Sequence, residues 1–303
     1  MVRINSKKLI LAAGIFASLL TSSANAALNV FACEPEYGAL AKALAPDAKV
    51  YSATSAQQDP HQVQARPSLI AKMRQADLVV CAGADLEIGW LPMLQMKASN
   101  NKVLSTDTGL FYAADHIETL DQLEQVDRSM GDVHAKGNPH LHFDPRKFLK
   151  VAQALSAKMI ELDPNSSAEY QVALTEFTEQ WQQAIPRWEA QAQSLKGKKV
   201  IAYHSSFRYL FNWLGMEQVA DLEPKPGIPP SSSHLAKLVS RSQQGDVMAV
   251  IVASYQDERG AHWLGERTDL PVVILPMSVG GNSQSQDLIS LYDSVLTLLT
   301  EAQ

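Results

Sequence analysis

The residues best suited to chemistry in this 303-residue chain are its eight histidines, three of which fall within "HAKGNPHLHFDPRKF" at His134, His140 and His142. Imidazole is the commonest metal ligand, and three imidazoles plus one oxygen complete a tetrahedral zinc shell with Zn–N near 2.0–2.1 Å. His61 lies in "QQDPHQVQARPS", between a strand and a helix beginning near Ser68. His140 lies immediately before a helix capped by Asp144, and His204 ends "KKVIAYH" ahead of a helix capped by Ser205 or Ser206. All three therefore sit in loops that lead into helices, at the end of open α/β sheets where ligands gather. His61 and His140 would come from a first lobe and His204 from a second, converging in the cleft between them.

The histidines of the opening cluster are not equivalent. Residues before a proline avoid the α region, so "NPHLHFDP" reads as extended, with residues two apart pointing the same way. The turn at Asp144 breaks that alignment for His142, and geometry alone favours neither His140 nor His142. His134, in a glycine-containing loop, is either an accessory metal-capturing residue or a solvated surface histidine. His116, His234 and His262 read as ordinary polar residues, with His234 in the first turn of a helix. Cys33 and Cys81 each end an apolar strand-like run. Adjacent parallel strands would bring them within bonding range, as a disulfide or as two small buried thiols.

The elements that must position these residues alternate between strand and helix. "ALNVFAC", "EYGALAKALAP", "AKVYSAT", "PSLIAKMRQA" and "ADLVVCAG" form a first series, followed by the helix of "DPRKFLKVAQALSAKMIELDP". There Asp144 caps, Pro145 takes the first turn, and Phe148, Val151, Leu155 and Met159 share one face. A second series runs through "KKVIAYHSS", "FRYLFNWLG", "HLAKLVSRSQ", "VMAVIVAS", "GAHWLGERT", "LPVVILPM" and "DLISLYDSVLTLLTEA". Continuous apolar strands alternating with helices imply an α/β fold of two lobes, each a parallel sheet covered by helices. Between the two series, Tyr170, Leu174, Phe177, Trp181, Ile185 and Trp188 recur at steps of three and four. This predicts one long helix of about 28 residues, about 42 Å long, kinked at Pro186 and bracing both lobes. The expected boundaries are a first lobe over 27–165, the linking helix over 166–195 and a second lobe over 196–303.

Residues 1–26 form a separate unit. Arg3, Lys7 and Lys8 make a basic start, "LILAAGIFASLL" is an apolar run, and Ala24-x-Ala26 offers a cleavage site. This is the layout of a secretory signal peptide cleaved after Ala26, and its apolar run falls short of the roughly 20 residues that span a membrane. No cysteine follows the cleavage site directly, so no stable membrane anchor is expected. Removing the segment takes the formal charge from −6 to about −9. An acidic mature chain disfavours nucleic acid and anionic membranes and suits a cationic or small neutral ligand.

From His61 onward the chain resembles the periplasmic zinc/manganese-binding (cluster A-I) class of ABC-transporter solute-binding proteins. The matching segments are "DPHQVQARPS", "ADLVVCAGADLE", "NPHLHFDP", "VIAYHSSFRYLFNWLG", "PGIPPSSSHLAKL" and "LPMSVGG". The resemblance implies two lobes joined by one rigid backbone helix, with metal ligands on His61, on the histidine after Asn-Pro (His140) and on His204. His142 stands where the family usually has an aromatic residue, which makes it accessory. The manganese branch has a glutamate where His204 stands, so the all-nitrogen trio implies Zn²⁺, with Mn²⁺ the second choice. The family often supplies an aspartate after the last strand. Here Asp287 is the nearest candidate for that fourth ligand, beside its other role as a helix N-cap. Of the long His-rich loop of zinc-binding members, only His134 and the short "GDVHAKGN" segment remain.

The resemblance implies a non-catalytic, periplasmic zinc receptor, monomeric, that delivers Zn²⁺ to a membrane permease powered by an ATPase. Three histidines with an open water position also describe a secreted zinc hydrolase. Against that stand the lack of H-E-x-x-H, of G-x-S-x-G and of a glutamate beside a ligand, with Glu258 the only candidate base. A metal-dependent adhesin on the same fold is the remaining alternative.

Overall fold

The computed structural model describes residues 27–303, and the expected signal peptide lies outside them. The first lobe is built from β1 (Asn29–Ala32), α1 (Pro35–Leu44), β2 (Lys49–Ser52), α2 (Pro67–Gln75), β3 (Leu78–Cys81), α3 (Leu91–Ala98) and β4 (Leu110–Tyr112). Two long helices follow, α4 (Pro145–Leu162) and α5 (Ser167–Gln191). The second lobe contains β5 (Lys199–Ala202), α6 (Arg208–Leu214), β6 (Glu217–Asp221), α7 (Ser232–Ser242) and β7 (Val247–Ala253). It continues through α8 (Arg259–Thr268) and β8 (Val272–Leu275) to α9 (Leu288–Glu301).

Both sheets are wholly parallel, in the orders β2-β1-β3-β4 and β6-β5-β7-β8. In each, the chain leaves the central pair in opposite directions, which opens a crevice at the carboxyl ends of β1 and β3 and of β5 and β7. The expected α/β architecture of two lobes is therefore present. Three elements add to those read from the sequence: α3, β4 and β6. β4 is three residues long and β6 is half-exposed throughout, so neither carries the continuous apolar run of a central strand.

α5 links the lobes. It is shorter than expected, because Ala192–Leu195 tightens into a separate 3₁₀ turn, and Pro186 lies inside it. One apolar core runs from the α1 face of the first sheet through α4 and α5 to α9 and the second sheet. Trp181 is its pivot: fully buried, it meets Phe148, Phe177, Trp188 and Tyr292 at ring-centroid distances of 5.1–5.8 Å, and its indole N–H donates to Pro145 O. The outer faces of the two sheets have separate cores. Among the described residues no helix is long and apolar enough to cross a membrane.

α4 starts where its sequence requires. The Asp144 carboxylate accepts from the backbone N–H groups of Arg146 and Lys147, and Pro145 occupies the first turn. The residues before it differ from expectation: Leu141–Phe143 is a 3₁₀ turn, not extended chain. That turn sends His140 and His142 in different directions.

Candidate metal centre

His204 is set by the end of β5. The strand continues past Ala202 through the hydrogen bond from Tyr203 N to Ile251 O (2.8 Å), and His204 follows at the mouth of the crevice. Ser205 and Ser206 do not cap the next helix through their side chains; they enter a 3₁₀ turn, Ser205–Phe207, that leads into α6. The imidazole is held from behind. His204 Nδ1–H donates to Glu223 Oε2 at 2.9 Å, and the same oxygen accepts from Gly227 N at 3.1 Å. A carboxylate only accepts, so this bond places the proton on Nδ1 and leaves Nε2 as a free electron pair.

His61 is fixed in the same way from the first lobe. Its Nδ1–H donates to Asp59 Oδ1 at 2.7 Å, and its backbone N–H donates to the same oxygen at 2.9 Å. The Trp90 indole N–H anchors the preceding Pro60 carbonyl at 3.0 Å. Burial alone would raise the Asp59 carboxyl, but the hydrogen bonds and charge of His61 outweigh it and hold the group below the usual carboxylate range.

His140 is the buried member. Its backbone N–H donates to Asn138 Oδ1 (2.9 Å), while the Asn138 amide donates across the cleft to Ser205 O (2.9 Å). The Tyr209 hydroxyl donates to Asn138 O (3.0 Å), so one asparagine ties the His140 turn to the loop that carries His204. His140 Nε2 is buried without a hydrogen-bond partner, a costly state for a polar atom unless something else completes it. Burial first, then the neighbouring histidines, pushes this imidazole well below its ordinary pKa. It is therefore a neutral donor.

These three histidines come together. One ring nitrogen from each lies within 4.8 Å of the others, and the ring centroids form a triangle with sides of 5.5, 5.8 and 5.7 Å. The adjoining cavity, about 220 Å³, is lined by Asp59, Asp132, Glu223, Tyr255 and Asp257 as well as His61 and His204. Its acidic wall suits a cation.

His134 stands against His61, outside the group of three. Its Nε2 stands 3.3 Å from His61 Nε2, with the two rings stacked. Its loop docks on the second lobe through Asp132 N to Pro226 O (3.0 Å) and Lys225 Nζ to Ser129 O (2.6 Å). Gly131 makes the approach possible: its φ is +88°, and a Cβ there would run into Pro226 O. Burial, then the charges of His61 and His204, lowers the His134 pKa to about 4.

The structure sends other candidates elsewhere. His142 lies apart from the trio: its Nε2–H donates to Met277 O (2.8 Å), and Nδ1 faces Glu36 Oε1 at 3.2 Å. Asp287 does not join the histidines. It is the N-cap of α9, exposed, with its carboxylate taken by Ser290 N–H (2.7 Å) and the Ser290 hydroxyl. Glu258 pairs with His262 one helical turn on and is absent from the cavity wall. His116 stacks on Phe111, and His234 donates to Asp221 O. Asp59, Glu223 and Asn138 escaped the sequence reading. Asp59 had a signal, since it stands two residues before His61, whereas Glu223 follows β6, a strand the hydropathy pattern hides.

A family model described as ZnuA, zinc-uptake complex component A, periplasmic, matches residues 30–302. The chain belongs to the ZnuA family. Among proteins of known function, the high-affinity zinc uptake system protein ZnuA of Yersinia pestis is 24% identical over 252 residues, covering 78% of this chain and 74% of that protein. The manganese ABC transporter substrate-binding lipoprotein PsaA of Streptococcus pneumoniae is 23% identical over 229 residues, covering 74% and 71%. A crystal structure of ZnuA superposes with a TM-score of 0.77 at 19% identity, over 91% of this chain and 99% of that one. A Mn-bound mutant of a periplasmic metal-binding protein from Candidatus Liberibacter asiaticus gives 0.73 at 17% identity, over 90% and 98%. At these identities the solved structures speak to fold alone. They match the two-lobed ZnuA-family architecture, and the Cys33–Cys81 disulfide forms within it, between β1 and β3.

Proposed function

We propose that the chain is the periplasmic zinc receptor of an ABC importer, capturing Zn²⁺ as cargo between its lobes and presenting it to a membrane permease driven by an ATPase. One observation carries this reading. Three imidazoles from both lobes turn ring nitrogens to a common point, two with tautomers set by carboxylates and one with a buried nitrogen that nothing else satisfies. His61, His140 and His204 are the ligands. Zinc is favoured over manganese because the trio is all nitrogen, whereas Mn²⁺ prefers carboxylate, carbonyl and water oxygens. Membership of the family and the zinc-uptake relatives support export to the periplasm and work with a permease.

His134 is the fourth ligand in this reading, in place of Asp287. A tetrahedral zinc with Zn–N of about 2.0–2.1 Å puts its nitrogens roughly 3.3–3.4 Å apart. The separation of His61 and His134 Nε2, 3.3 Å, matches that edge, and His134 would turn further toward His140 and His204 to complete the shell. Its loop, part-exposed and docked across the cleft, would close over the ion as a lid. Receptor function needs no catalytic base, and the chain works as a monomer.

Competitive titration of chelator-stripped protein with Zn²⁺ and Mn²⁺ tests the proposal. The expected result is one tightly held zinc per chain that excess manganese does not displace. Manganese binding as tight as zinc binding overturns the assignment. Substituting His134 should weaken zinc roughly tenfold, less than losing a trio member, because water can take its place.

A further inference from the structure

The switch point of the first sheet carries a second group of donor atoms that the histidine centre does not use. Cys33 follows β1 and Cys81 closes β3, one register step beyond the Ala32–Val80 pair, and the two are joined as a disulfide. Glu34 is the next residue. Glu87 returns on the loop after β3, where its carboxylate accepts from Ala82 N (2.8 Å) and Gly83 N (3.2 Å). Both sulfurs and a Glu87 oxygen lie within 4.8 Å of one another, and Glu34 stands next to this group without being part of it. All four side chains are buried, the cysteines completely and Glu34 and Glu87 to 3% and 2% exposure.

Glu34 is the second, independent sign of a ligand. Both its carboxyl oxygens are buried without a hydrogen-bond partner. Burial, then the carboxylates of Glu87 and Glu36, raises its acid well above the usual range, so it keeps its proton. Its position also repeats that of a proposed metal ligand. Glu34 stands two residues past the end of β1, as His204 stands two past β5, and Cys33 N to Val80 O (2.8 Å) repeats Tyr203 N to Ile251 O. The two lobes thus present a donor side chain at the same point of the same fold.

We propose that reduction of the Cys33–Cys81 disulfide opens a second site for a thiophilic divalent cation, held by Cys33, Cys81 and Glu87, with Glu34 turning in as the fourth ligand. The reductant is a dithiol: it gives the disulfide two electrons and two protons and leaves as its own disulfide. The entering cation then displaces both thiol protons and the proton carried by Glu34. Two thiolates and two carboxylates around a dication carry the same net charge as a four-cysteine zinc site. With Zn–S of about 2.3 Å the sulfurs stand roughly 3.8 Å apart. Neighbouring strands about 4.8 Å apart leave that separation to χ1 rotation. The chain would hold one ion when oxidised and two when reduced.

Cadmium is the probe, because thiolate-to-Cd²⁺ charge transfer absorbs in the near ultraviolet and imidazole ligation does not. Whole protein, oxidised or reduced with a phosphine under inert gas, is titrated with Cd²⁺ while circular dichroism follows the fold. The oxidised chain is expected to bind one cadmium without the band, and the reduced, folded chain two cadmiums with it. A Cys33→Ser/Cys81→Ser variant should show no band under either condition while keeping the first, histidine-bound ion, so failure at the two centres is separately visible. A reduced chain with native dichroism, two free thiols and no band overturns the proposal. So does a reduced chain that is unfolded and that cadmium does not return to the native spectrum, since a built site stabilises the fold that contains it.

Discussion

Two of the three donor imidazoles owe their orientation to a carboxylate behind them, and Glu223 is the clearer case because it also holds Gly227, four residues on in its own loop. Glu223→Gln keeps the shape but can present its amide nitrogen to His204, so the tautomer is no longer dictated. Zinc affinity should fall by about 10–100-fold, measured against a chelating dye. His134 gives a prediction in pH. Its pKa of about 4, against 6.5 in the unfolded chain, keeps it neutral through the usual histidine range. Between those values the unfolded chain takes up a proton that the folded chain refuses, so this group favours unfolding as pH falls through that window. A ring-proton NMR titration of metal-free protein should place its midpoint near 4, and a midpoint near 6.5 would contradict the burial seen here. At this scale the sequence was informative about residue type and loop position. Local spacing could not separate His140 from His142, and only the family resemblance did, because a single 3₁₀ turn aims one at the cleft and the other at Met277 O.

α5 is the element on which the two lobes depend. Trp181 fills the junction of α4, α5 and α9 and satisfies its indole on Pro145 O, so truncation leaves both a cavity and an unpaired carbonyl. Trp181→Ala should cost about 3–5 kcal/mol, read as a lowered denaturant midpoint with the cooperative slope retained. The heptad-like spacing of Tyr170, Phe177, Trp181 and Trp188 made this helix legible, as Asp144 and Pro145 did for the start of α4. β4 and β6 were not legible, since an edge strand of three residues and one that is half-exposed leave no hydropathy signature. Missing β6 also hid Glu223, the residue that orients His204.

Across the whole molecule the lobes are fastened before any ion arrives. His142 donates to Met277 O, the Ser278 hydroxyl to Glu36, Gln57 to Gly281 O and Asn138 to Ser205 O, all from one lobe to the other, over a core shared by both. Such a frame resists hinge closure, and zinc should change the radius of gyration in small-angle scattering by under about 1 Å. A compaction of several ångströms would mean that these contacts open in the metal-free state. The α/β architecture was legible from alternating apolar runs, but these fastenings were not, because each joins residues far apart in the chain through one polar side chain. The most direct test of the account is zinc affinity in metal-free wild-type protein beside His61→Ala, His140→Ala and His204→Ala. Each substitution is expected to weaken zinc by a hundredfold or more, roughly the upper end of what losing an outer partner costs. Unchanged affinity in all three would contradict a metal centre built from these histidines.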